Sequence, residues 1–426
     1  MEFHPSSGLC AGVGNLGKCG VAVLEQVRKP GPKRTEFVAL MAMMGAMVAF
    51  SIDAMLPALP EIGAELSPDA LNRAQLVVTS LVLGMGVGTF FVGPISDAVG
   101  RRPVVIGGTV IYIGAALSAY WVNSLEGLLI SRVIMGLGAS GARVMSIAIV
   151  RDKFEGRQMA RITSFVMLVF ALVPALAPSL GALIIVGWGW RAVFLSFAIF
   201  ALVICLWYLL RQPETLHPEY RRPLSFRAMG AALREMAAHP TVRLSTVVQT
   251  LCFGMLFSVL SSTQQVFDIT FDQGAAFPLW FGAIAVIAAS GSVINARLVV
   301  RLGMRAMVKG VLVLEIGLSA LMILGWLLVP GTVASLALYV LWTASVFFMV
   351  GLTIGNLTAL ALEPMGHIAG IAASALTAIA TVGAVLIAVP VGLAFDGTPL
   401  PLAIGVLCAA IPALWLTTKI RRDSDG

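Results

Sequence analysis

The sequence predicts an all-α membrane protein with twelve transmembrane helices in two pseudo-symmetric six-helix halves. Three observations carry that expectation. The 426-residue chain is 59% hydrophobic and only 12% charged, with a mean hydropathy of +0.95, more apolar surface than a soluble domain can hide. Its apolar stretches run unbroken over the ~20 residues that a helix needs to cross a bilayer, and they fall into two sets of six. Its basic residues gather in alternate loops, on one side of the resulting topology.

In chain order, residues 1–35 are Gly-rich and weakly apolar, with a basic cluster at Arg28, Lys29, Lys33 and Arg34. In a secretory signal the charge precedes the apolar part; here it follows. The segment therefore reads as a loose cytoplasmic tail or an over-long start of the reading frame. The first half, 36–210, holds apolar runs at 37–59, 74–96, 104–121, 127–149, 162–186 and 191–210. A basic loop over 211–243, with Arg221, Arg222, Arg227 and Arg234, interrupts the series. The second half, 244–418, holds runs at 244–267, 278–299, 306–328, 332–356, 368–394 and 399–417, and residues 419–426 form a second tail.

Placing both termini in the cytoplasm puts Arg101, Arg102, Arg151, Lys153, Arg157, Arg161, the whole central loop, Arg301, Arg305, Lys309, Lys419, Arg421 and Arg422 on that side. The opposite side receives Arg73 and Arg191, among acids such as Glu61, Glu65, Asp69, Asp268, Asp272 and Asp396. The bias has one sign, which fixes the expected orientation. An internal repeat supports the division. Ala296–Ala306 overlays Gly93–Pro103, matching Gly303 to Gly100 and Arg305 to Arg102, while Asp97 becomes Val300.

The net charge of +7 does not point to nucleic acid, because its carriers sit in short loops between spans, where they set orientation. The five cysteines (Cys10, Cys19, Cys205, Cys252, Cys408) lack metal or disulfide spacing, and the four histidines (His4, His217, His239, His367) lie in tails or loops. A polytopic enzyme or receptor would need a catalytic cluster in a loop or a sizeable soluble domain, and the sequence holds neither.

Asp53 is the acid inside the first span, within Phe50-Ser-Ile-Asp-Ala-Met-Leu-Pro-Ala-Leu-Pro60. An ionisable group in hydrocarbon is costly unless it faces a watery cavity or a partner, so Asp53 is either a proton-loading site or a structural acid paired with a cation. Arg132 lies on the fourth span in Arg-Val-Ile-Met-Gly-Leu-Gly138. The fourth helix runs opposite to the first, so the two fall at similar depth and are candidate partners across a cavity. Arg143 follows eleven residues later, close to three helical turns at ~100° per residue, so both arginines project from one face. Arg143 either attracts anionic or electronegative substrate groups or snorkels to the surface. On the ninth run Glu315 is a supporting group, a lipid-edge residue or a second protonation site, and Arg297 on the eighth snorkels. Phe50, Met55, Phe257 and Gln264 are candidates for the substrate cavity, since methionine and aromatic surfaces re-pack around different ligands and amides hydrogen-bond them.

Gly93-Pro-Ile-Ser-Asp-Ala-Val-Gly-Arg-Arg-Pro103, between the second and third runs, resembles the loop 2–3 signature of the major facilitator superfamily. The resemblance covers roughly residues 36–418 and implies the major-facilitator fold. There, Gly93, Asp97, Gly100, Arg101, Arg102 and Asp152 would form a conformational latch, Asp97 meeting the positive end of the helix that begins near Ile368. Asp53-x-x-x-Pro-x-x-Pro60, the Arg132 motif and the Pro174-Ala-Leu-Ala-Pro178-Ser-Leu-Gly181-Ala182 segment of the fifth span resemble twelve-span drug:proton antiporters of the Bcr/CflA (bicyclomycin/chloramphenicol resistance) subfamily. The usual glycine before the second proline is Ala177 here. This resemblance implies proton-coupled efflux of small amphipathic drugs or metabolites across the bacterial inner membrane, with Asp53 and Arg132 coupling the proton. The alternative is a narrow-specificity transporter of one small solute, such as a sugar or a purine. The expected partners are a small-molecule substrate, protons and the lipid bilayer, without nucleic acid, metal or cofactor beyond the proton gradient, and the expected unit is a monomer.

Overall fold

A computed structural model describes residues 32–420. The expected tail over residues 1–31, with Cys10, Cys19, Arg28 and Lys29, and the terminal Arg421 and Arg422 lie outside the described residues. Twelve helices of 20 residues or more run through the described part. The first six are α1 (Arg34–Asp53), α2 (Leu76–Val99), α3 (Arg101–Trp121), α4 (Leu125–Lys153), α5 (Gly156–Trp188) and α6 (Arg191–Arg211). The second six are α7 (Pro240–Gln265), α8 (Phe277–Leu302), α9 (Met304–Leu328), α10 (Val333–Leu362), α11 (Ala369–Leu393) and α12 (Leu400–Lys419). By length and apolarity ten stretches can cross a membrane. That number runs α10 and α11 together as Val333–Leu393, and α5 contributes the shorter apolar stretch Leu172–Trp188.

Breaks between helices fall where the backbone demands them. Gly100 separates α2 from α3 at φ 107°, and Gly303 separates α8 from α9 at φ 84°. Both conformations disfavour any residue with a Cβ, so the two glycines aligned by the repeat perform the same turn in each half. Exposed aliphatics such as Val186, Val300 and Leu386 cover the outside, as a lipid-facing surface requires.

The central loop is not wholly irregular. It contains a helix, Phe226–Ala238, capped by the Ser225 hydroxyl, which accepts from the Ala228 N–H. Its apolar face (Met229, Ala232, Met236) is buried. Met236 packs with Ala361, Met365 and Leu376 beneath the second half.

The two halves touch along α2 and α11 and along α5 and α8. The bundle has two distinguishable ends, a terminal end where α1 begins and α12 finishes, and a far end opposite. At the far end five hydrogen bonds bridge the halves. Asn72 Nδ2 donates to the carbonyls of Leu393 and Phe395 (3.2 and 2.7 Å), and Gln265 Nε2 donates to Asn72 Oδ1 (2.7 Å). Gln75 donates to Gln265, and the Ser262 hydroxyl donates to Gln75 Oε1. Toward the terminal end, a cavity of about 260 Å³ lies between α2, α4 and α11.

Candidate functional site: a buried acid, an arginine staple and a cavity at the terminal end

α1 stops at Asp53 because prolines follow it. Pro57 and Pro60 have no N–H to continue the ladder, and the chain passes through a 3-10 turn (Leu56–Ala58) into a short helix (Leu59–Leu66). α5 presses on this break. A Cβ placed on Gly181 would collide with the Ala54 carbonyl, so the glycine permits backbone contact next to Asp53. Pro178 on the same helix is buried and Pro174 half-buried.

The Asp53 side chain is 5% exposed. Among the described residues no hydrogen bond or ion pair reaches its carboxylate, and Asp53 is not in the wall of the terminal-end cavity. The sequence expectation of a direct pair with Arg132 is not met in this conformation. Arg132 is fully buried and spends its donors on main chain. Nε donates to the Val77 carbonyl of α2 and Nη2 to the Ser51 carbonyl of α1, each at 3.0 Å. Its Nη1 has no partner, and the guanidinium sits 5.9 Å from the centre of the Phe194 ring. Ser51 is in turn hydrogen-bonded to the Tyr112 hydroxyl of α3. Arg132 therefore ties α4 to α1 and α2, two residues short of the acid.

Of the other candidates for a substrate cavity, Arg143 alone lines the one described above. Phe50 packs edge-on against Phe197 and Phe200 of α6, and Met55 is fully buried in the break after α1. Phe257 packs on Phe253, and Gln264 is buried with its Oε1 unpartnered. Glu315 is 1% exposed, which overturns its lipid-edge reading. Its carboxylate accepts from Ser345 at 3.0 Å and Ser319 at 3.4 Å, and the Trp342 indole donates to Ser319. Arg297 is exposed.

Residues of the loop 2–3 signature do come together. Arg101 bonds Asp97 at 2.6 Å and Asp152 at 3.0 Å. Asp97 is thereby turned toward its own half, and among the described residues it makes no hydrogen bond to α11. Instead Asp97 and the first turn of α11 face the same cavity. The Arg102 side chain donates to the Leu209 carbonyl at 2.8 Å. Near Gly93 the helices approach closely: an added Cβ there would lie 2.9 Å from the Ser374 hydroxyl of α11.

Three contributors went unread in the sequence. Glu214, in the central loop, accepts from the backbone N–H groups of Arg101, Arg102, Thr215 and Leu216 at 2.9–3.0 Å. It thus caps the start of α3. Burial works against its charged form, yet those four donors hold its carboxyl below the usual glutamate range. Asn72 and Gln75 make the far-end seal. Ser262 and Gln265 of α7 complete it. Among the described residues no cluster of His, Cys, Asp and Glu has the make-up of a metal site.

Comparison with known proteins fits this architecture. The Major Facilitator Superfamily profile matches residues 41–389. An "Uncharacterized MFS-type transporter YdgK" of Bacillus subtilis (strain 168) is 28% identical over 360 residues, covering 81% of this chain and 86% of the relative. A "Bicyclomycin resistance protein homolog" of Haemophilus influenzae is 27% identical over 285 residues, covering 66% of this chain and 70% of the relative. Among solved structures, that of a D-xylose–proton symporter superimposes with a TM-score of 0.71 at 15% identity, covering 92% of this chain and 98% of the other. With the profile spanning most of the helical bundle and the loop 2–3 signature in place, this chain is a multi-pass membrane transporter that belongs to the Major Facilitator Superfamily.

Proposed function

We propose that the chain exports small amphipathic drugs or metabolites in exchange for protons, by alternating access across the bacterial inner membrane. The one-sided distribution of basic loops supports an orientation with both termini in the cytoplasm. The terminal end is then the inner one, and the structure corresponds to a conformation sealed outside with a cavity on the cytoplasmic side.

The observation that carries the coupling is Asp53 itself, a buried carboxyl with no partner among the described residues, held where α1 breaks and α5 touches it backbone to backbone. A structural acid is held by its partners; a proton carrier must be free to change its charge. Arg132, fixed on the two carbonyls, leaves the acid unpaired. In the proposed cycle a proton arriving from outside, when the far-end seal is open, neutralises Asp53. Release to the cytoplasm, with cargo loaded from the inner cavity, restores its charge. The likeness to the bicyclomycin-resistance homolog of Haemophilus influenzae supports a drug as cargo.

The test is compound-driven proton movement in inverted membrane vesicles, across a panel that includes phenicols and bicyclomycin. Wild-type vesicles should respond to at least one compound, and Asp53→Asn should abolish the response while leaving compound binding measurable. An Asp53→Asn variant that pumps normally against a gradient removes the carboxyl from the mechanism.

A further inference from the structure

We propose that the cavity at the terminal end recognises an amphipathic anion, an apolar body carrying one carboxylate or a group of like charge, with Arg143 as its counter-ion. The proposal rests on the export reading only in taking this cavity as the place where cargo loads.

The wall of the cavity holds four charged side chains, Asp97, Arg101, Arg143 and Arg151. Asp97 is committed to Arg101, and Arg101 also holds Asp152. Arg151 is exposed at the solvent side. Arg143 differs from all of these. It is half-buried, and its one hydrogen bond among the described residues goes to the Met85 sulfur at 3.6 Å. A thioether is a weak acceptor, and a guanidinium offers five N–H donors in a fixed fork. No acid among the described residues pairs with it. A charge withdrawn from bulk water without a partner is costly unless something supplies the opposite charge, and a fork of donors fits a carboxylate in two-point contact.

The opposite wall adds to the same sign. α11 begins at Ala369, its cap residue Ile368 makes no side-chain bond to the first turn, and that turn contains no acid. Gly370 and Ile371 of this turn line the cavity. α11 follows directly on a 3-10 turn, Glu363–Ile368, and the positive end of its dipole lies across from Arg143. Over the rest of the wall Pro94, Val144, Met145 and Ile147 stand beside the hydroxyls of Thr89, Ser96, Ser374 and Thr377, a mixed surface that suits an amphipathic body better than an inorganic ion. The hydroxyls of Thr89 and Thr377 already donate to carbonyls of their own helices, so they are not competing donors for an anion. They remain able to accept from a ligand.

The experiment uses the full-length protein in detergent and two probes of one shape, 2-naphthoate and 2-naphthamide, with binding measured by calorimetry near neutral pH. Wild type should bind the carboxylate about tenfold or more tighter than the amide, the discrimination expected when a charged hydrogen bond is added to a shared apolar contact. Arg143→Gln should bring the two affinities together, Arg143→Lys should keep a reduced preference, and Arg297→Gln, an exposed arginine outside the cavity, should leave the preference as in wild type. Should Arg143→Gln not fold, Ser374→Asp, which sets an acid on the facing wall, should remove the preference while Ser374→Asn keeps it. Equal affinities in wild type, or a preference that survives Arg143→Gln, overturn the proposal. Proton movement in vesicles is scored separately. A carboxylate preference in a protein that moves no protons leaves this site standing and removes the pump, and the reverse result removes the site alone.

Discussion

Arg132 shows what a single charged side chain does inside this bundle. Its two hydrogen bonds go to the main-chain carbonyls of Val77 and Ser51, so its role is geometric as well as electrostatic. Both bonds rely on the width of the guanidinium plane. A lysine keeps the charge but presents one compact ammonium, which cannot satisfy two carbonyls on different helices in the same fixed geometry. Arg132→Lys is therefore expected to lower stability by about 1–3 kcal/mol, the range for hydrogen bonds from charged donors tempered by their smaller value in membranes, read as a lower melting temperature of the purified protein. An unchanged melting temperature would mean that the staple is not structural. Asp53 and Arg132 were both legible in the sequence as ionisable residues inside apolar runs. Their relation was not, because the acceptors of Arg132 are carbonyls, which every residue carries and no sequence pattern marks. Arg143 was legible as a face-sharing neighbour of Arg132, while the cavity it lines was not.

The junction of α2, α3 and the central loop is the most connected element of the terminal end. Gly100 turns the chain, Arg101 bonds two acids, and Glu214 collects four backbone N–H groups. A carboxylate at a helix start satisfies orphan donors and faces the positive end of the dipole. Because Glu214 holds its proton less readily when folded than its ordinary value of 4.5, the sign of the pH effect follows. Its stabilisation is fully present above that ordinary value and is lost as pH falls through the lower folded value. Glu214→Gln should thus destabilise the protein near neutral pH and lose its effect in strong acid. Melting curves of the two proteins across pH check this, and a difference that grows toward acid would contradict the capping role. The loop 2–3 signature and its echo around Gly303 were readable from spacing, since a glycine at a forced turn recurs wherever the turn recurs. Glu214 was not readable, because its partners at Arg101 and Arg102 lie more than 100 residues earlier in the chain and a lone acid in a polar loop has no period to betray it.

At the scale of the whole molecule, the two halves are held differently at their two ends, and that asymmetry is what alternating access has to reverse. The far end is closed by five hydrogen bonds among Asn72, Gln75, Ser262, Gln265 and the carbonyls of Leu393 and Phe395, while the terminal end encloses a cavity whose wall includes Asp97 and the start of α11. Polar bonds between membrane-embedded helices contribute about 0.6 kcal/mol each on average. Five of them amount to roughly 3 kcal/mol, enough to hold one conformation over another by about two orders of magnitude. Such a seal is strong enough to favour one conformation and weak enough for a bound solute to release. Replacing Asn72 and Gln75 with alanine together removes all five bonds at one stroke and touches neither Asp53 nor the wall of the terminal-end cavity. Spin labels at Leu71→Cys and Ala394→Cys, on opposite halves at the far end, should then report a second, longer distance population that wild type lacks. Asp97, freed of the cavity between it and α11, should become protected from solvent-borne reagents in the same variant when tested as Asp97→Cys. If the label distances of the double variant match those of wild type, the seal does not set the conformational balance, and packing between α2 and α11 must hold the halves in its place.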